Sequence, residues 1–108
     1  MSFDPATAEW VQDALAPIGH VTVKRMFGGA GLYLDGVIFA ILGLGDLWFK
    51  ADAKSDAEWD AISREKFTVE MRGKTASMNY RRAPDDAHDD PEALQRYAML
   101  ALEAGRRR

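Results

Sequence analysis

The chain has 108 residues, a formal net charge of −3 and no cysteine. This length fits one domain, residues 1–108, whose folding buries roughly 65% of the unfolded surface, enough for one core. The missing cysteines exclude disulfides, thiolate metal sites and cysteine nucleophiles, and the acidic balance argues against a general polyanion binder, which needs clustered Lys and Arg.

The first ten residues, MSFDPATAEW, lack the basic and apolar regions of a secretory signal. The longest apolar run, residues 37–42, is far short of the roughly 20 that a membrane helix needs. A cytoplasmic protein without membrane contact is expected.

Asp4 suits a helix cap and Pro5 the first helical position, where no amide hydrogen is needed. Trp10, Val11, Ala14, Leu15 and Ile18 follow on one helical face, and Pro17 and Gly19 end it. Residues 21–25 alternate as a short extended lead-in, interrupted by Gly28, Gly29 and Gly31. Residues 32–34 and 37–42 flank Asp35-Gly36, a strong hairpin signal because both turn positions favour positive φ. Residues 43–46 turn the chain again into a strand over 47–51. The unbroken apolarity of 37–42 predicts a central strand covered on both faces, by a helix on one side and a partner subunit on the other.

Ser55 with Glu58 three positions on reads as a capping box for a helix through Trp59 and Ile62. Phe67, Val69 and Met71, then Ala76, Met78 and Tyr80, alternate with polar residues about Arg72-Gly73, which predicts a second hairpin. Asp90-Pro91 repeats the Asp4-Pro5 device and opens a last helix with Leu94, Tyr97, Ala98, Ala101 and Leu102 on its buried stripe. The order α-β-β-β-α-β-β-α predicts an α+β fold: an antiparallel sheet of about five strands with three helices.

Several pieces together carry a resemblance: RMFGGAGLYLDGVIFAI, LWFKAD, the hairpin FTVEMRGKTASMNYR and the DDPEAL helix start. The chain resembles the N-terminal domain of the TfoX/Sxy competence regulators. That resemblance implies a domain like type III secretion chaperones, commonly dimeric, and a link to bacterial competence or transcription regulation. Full-length regulators of this kind look two-domained, and this chain is similar to the short members built from the N-terminal domain alone. The resemblance brings no catalytic residues with it.

No nucleophile–base pair is legible. His20 has no partner in sequence, and Ser55, Ser63 and Ser77 lack nucleophile-elbow context. The acidic stretch 85–92 with His88 reads as a solvated loop rather than a cation site, so no metal and no cofactor are expected. The binding candidates are Arg25, Phe27, Gly28, Gly29, Trp48, Lys50 and Arg81. The three glycines of 28–31 read either as an anion-binding backbone nest beside Arg25 or, more simply, as room for a bent strand. The strand aromatics with basic neighbours read either as core or as a base-stacking surface. The expectation is a non-enzymatic regulatory or adaptor domain that binds an unknown regulatory protein. It is expected to be a homodimer through residues 32–49, with small-molecule or single-stranded nucleic-acid binding as the alternative.

Overall fold

The computed structural model describes residues 4–26 and 28–107. Helix α1 (Pro5–Leu15) precedes four strands, β1 (Val21–Met26), β2 (Gly29–Leu34), β3 (Val37–Gly43) and β4 (Asp46–Lys50). Helix α2 (Asp56–Ile62), strands β5 (Lys66–Met71) and β6 (Lys74–Arg82), a 3₁₀ turn (Asp85–His88) and helix α3 (Pro91–Arg106) complete the chain.

The α+β class holds, with one correction. The sheet has six antiparallel strands in the order β1-β2-β3-β4-β6-β5. The segment read as a short lead-in is a full strand, β1, paired with β2 from Val21↔Leu34 to Met26↔Gly29. Gly28 closes that hairpin with φ 77° instead of breaking the strand.

Both Asp-Pro helix starts form as predicted. Asp4 accepts from the Ala6 amide at 2.9 Å, and Asp90 accepts from the Glu92 amide at 3.0 Å. The Ser55 capping box does not form. Ser55 precedes α2 in a helical conformation with no side-chain cap bond. Its hydroxyl instead donates to the Asp52 carboxylate at 2.9 Å, while the Ser55 amide bonds the same carboxylate oxygen. The loop before α2 thus takes up the hydroxyl that a cap would have used.

Three two-residue turns, Asp35-Gly36, Leu44-Gly45 and Arg72-Gly73, have positive φ at both positions. This is the primed geometry whose twist matches that of the flanking strands.

All three helices lie on one face of the sheet. Leu32, Leu34, Phe39, Leu42, Leu47 and Phe49 pack there against Val11, Leu15, Trp59, Leu94, Ala98 and Leu102. Phe49 stacks on Trp59 with ring centroids 5.7 Å apart, and Tyr97 leans on both. The opposite face has its own small cluster of Ile41, Trp48 and Tyr80, flanked by Ile38 and Phe67. No helix of the described residues is long and apolar enough to cross a membrane.

Candidate functional site

The helix-free face is built by strand alternation. Ile41 pairs with Trp48, Trp48 with Arg82, and Lys50 with Tyr80 across adjacent strands. Phe67 meets Trp48 edge-on at 5.3 Å, and the Trp48 indole donates to the Gly43 carbonyl at 2.9 Å. The cover expected from a partner subunit is thus supplied within the chain: Ile41, Trp48 and Tyr80 are only 8%, 4% and 6% exposed.

Two lysines dress this surface. The Lys24 ammonium stands 5.0 Å from the Tyr33 ring centre and that of Lys50 stands 5.1 Å from the Tyr80 ring. A cation over an aromatic face is held by the ring quadrupole, so the lysines sit as lids over the rings. Burial pushes the Tyr80 phenol up, and the nearby Tyr33 phenol adds to the shift. At one end of the face Arg82 holds Asp46 at 2.7 Å and Glu65 at 3.6 Å.

The sequence candidates separate. Trp48 and Lys50 share the helix-free face. Arg25 shares the alternation of Val21 and Val23, which belong to the helix side, so it faces away from Lys24. Gly28 is exposed in the β1–β2 turn, and Phe27 lies outside the described residues. Gly29 is buried, and any Cβ there would run into the Leu42 carbonyl, in keeping with a structural use of this glycine.

Arg81 is on the other side altogether, 1% exposed beneath α2. It donates to Asp56 and Asp60, each at 2.9 Å, to Asn79 at 2.9 Å and to the Ser63 carbonyl at 3.0 Å. The bonds to Asp56, Asp60 and Ser63 fasten α2 to the sheet, and with the bond to Asn79 of the same strand they leave the guanidinium little to offer a ligand. The partners on α2 and at its end are 18 to 25 residues away, beyond any local pattern. The contribution of Phe67 as the cover of Trp48 is also absent from the sequence reading. Its only signal is the apolar alternation of the second hairpin.

Among the described residues no group of three or more His, Cys, Asp or Glu is arranged to hold a metal. The helix-free face thus presents rings and two ammonium groups.

The pattern of the TfoX N-terminal domain matches residues 13–105. The chain belongs to the TfoX N-terminal domain family. Relatives of this TfoX N-terminal domain include the DNA transformation protein TfoX1 of Aliivibrio fischeri, 25% identical over 89 residues. That match covers 82% of this chain and 43% of the relative. Protein Sxy of Escherichia coli is 25% identical over 93 residues, covering 86% of this chain and 44% of that protein. The TfoX N-terminal domain described here thus spans less than half the length of the curated relatives it matches.

Proposed function

We propose that this chain is a non-enzymatic regulatory domain that acts by binding another protein, in the control of DNA transformation or of transcription. Membership of the TfoX N-terminal domain family supports the regulatory part. One observation carries the binding part. The sheet gives one face to the core and keeps the other free of helices, with aromatic rings and two ammonium groups on it. Aromatic side chains combined with fixed polar groups are what protein interfaces favour.

The test is genetic and physical together. The gene is deleted in its host and restored as wild type or as Lys24→Glu/Tyr33→Ala. Transformation frequency and site-specific cross-linking to other proteins are then measured. Restoration by the wild type alone, with a cross-linked partner lost in the variant, is expected. Unaltered transformation and transcription on deletion would overturn the regulatory reading.

Single-stranded nucleic acid would use the same rings. Trp48 and Tyr80 are 4% and 6% exposed, so stacking a base on either requires the face to open first. A salt-sensitive oligonucleotide affinity at physiological salt would favour this second reading. The homodimer through residues 32–49 has weaker support, because Ile41 and Trp48 are already buried within one chain. Sedimentation at micromolar concentration decides it.

A further inference from the structure

Strand β6 is longer than the neighbour that pairs its inner edge. Strand β4 pairs with it only through Trp48↔Arg82, Phe49↔Arg81 and Lys50↔Tyr80. One more bond, from the Ala51 amide to the Asn79 carbonyl at 2.9 Å, ends the contact. Residues 74–78 continue with β5 on one side, and among the described residues no strand pairs with them on the other. All five are exposed.

The orientation of the unpaired groups follows from alternation. The Asn79 carbonyl points to the β4 side, as does the Ala83 amide, which donates to the Leu47 carbonyl. The Arg82 amide points the other way, to Glu65. Two-residue steps back from Asn79 place the N–H and C=O of Ser77 and Thr75 on the open edge.

Open edges are normally guarded by charge, proline or cover. The outer edge of β1 carries Lys24 and Arg25, and that of β5 carries Lys66 and Glu70. Residues 74–78, Lys-Thr-Ala-Ser-Met, have one charge and no proline. Met78, 42% exposed, pairs with Phe67, and Ala76 pairs with Val69. The apolar side of this hairpin therefore continues the helix-free face. Three cations border the edge in a chain of net charge −3: Arg72 at the tip, Lys74 on the strand and Lys50 where β4 stops, against Glu70 opposite Thr75 and Asp56 bound to Asn79.

We propose that this edge accepts an extended acidic segment of a partner protein as an added strand, antiparallel to β6 and in line with β4. Main-chain bonds to Thr75 and Ser77 hold it, and carboxylates beside Lys74 and Lys50 select it, as in strand-addition recognition generally. A second copy fits less well. Two β6 strands paired about Ala76 bring Arg72 and Lys74 of each toward Lys50 of the other, cation against cation. The proposal rests on the protein-binding reading above.

The test titrates the ¹⁵N-labelled chain with a ten-residue peptide of alternating threonine and glutamate carrying a central valine, and with its threonine–lysine counterpart. The acidic peptide is expected to shift the Thr75 and Ser77 amides and slow their exchange, and the basic one is not. Ser77→Pro removes an outward amide while leaving the β5 ladder intact, and weakens binding about tenfold. Lys74→Glu, which alters no backbone group, weakens it about fivefold. The proposal is overturned by no binding at millimolar acidic peptide, by equal binding of both peptides, or by shifts confined to the Lys24–Tyr33 region. Concentration-dependent shifts of the same amides without peptide would assign the edge to a second copy, and tighter binding there of a single-stranded oligonucleotide would assign it to nucleic acid; either overturns the proposal. In the host, Ser77→Pro and Lys74→Glu genes that restore regulation as well as wild type would remove this edge while leaving the protein-binding reading standing.

Discussion

Arg107 clasps Asp52 with two parallel hydrogen bonds, 2.6 Å from Nε and 2.8 Å from Nη2, although 55 residues separate them. The pair ties the end of α3 to the β4–α2 loop. The Arg107 guanidinium, with further bonds from Ser55, holds the Asp52 carboxyl well below the usual carboxylate range, against the opposing effect of burial. A depressed folded-state pKa gives stability that is present above the unfolded pKa and is lost as pH falls through the folded one. Arg107→Ala should therefore lower the denaturation midpoint at neutral pH, and the deficit should shrink as the medium becomes strongly acidic. Urea titrations of both proteins across the acid range check this. A deficit independent of pH would mean that packing, not the ion pair, is what Arg107 supplies.

Arg81 should be far less tolerant. It is 1% exposed and makes four hydrogen bonds that reach Asp56, Asp60, Asn79 and Ser63. Arg81→Ala removes the ties to Asp60 and the Ser63 carbonyl, leaves Asp56 its bond from Asn79 and opens a cavity beneath α2, at a cost of about 3 kcal/mol. Arg81→Lys should recover little, because one ammonium cannot replace the fan of Nε, Nη1 and Nη2 donors. Chemical denaturation measures both. A loss under about 1 kcal/mol for the alanine variant would show that α2 is held mainly by the Trp59 stack.

The turn glycines should behave alike. The sequence singles out Asp35-Gly36, which predicts that Gly36→Val costs more than Gly45→Val. In the structure Gly36, Gly45 and Gly73 have φ of 79°, 75° and 77°, with no atom within 4 Å of a Cβ at any of them. Only backbone conformation matters there, and each substitution should cost about 1–2 kcal/mol. Thermal melts of the three single variants, compared side by side, test the equality.

Gly105 sets two effects against each other. Alanine in a helix interior is favoured over glycine by about 1 kcal/mol. Here a Cβ would stand 2.6 Å from the Ile38 carbonyl and 2.7 Å from Val37 Cγ1, where α3 crosses β3. Overpacking against backbone costs about 1–3 kcal/mol, so Gly105→Ala should be net destabilising. A raised melting temperature would show that α3 can lift from the sheet there at little cost.

Local chemistry made much of the fold legible. The Asp4-Pro5 and Asp90-Pro91 helix starts, the Asp35-Gly36 hairpin and the Arg72-Gly73 turn each depend on φ angles and bonds spanning a few residues, which the sequence states directly. So did the family pattern across residues 13–105. The strand count went astray at residues 21–26 because three nearby glycines look like a break until β2 is in place to pair with.

The site was legible only in part. Alternation puts Trp48 and Lys50 on one face, but which face the helices cover is a property of the assembled sheet. Arg81 looked like an available cation because its acids lie 21 and 25 residues earlier and meet it only when α2 folds onto β6. The open edge of β6 arises because β4 ends at Lys50 while β6 runs nine residues, and pairing between distant strands is fixed only by the tertiary structure. Sequence determined the Asp-Pro helix starts and the tight turns, through interactions between near neighbours. Burial, ion pairing and the free edge were decided by contacts between residues far apart in the chain, whose strength depends on solvent exclusion that no short segment can produce alone.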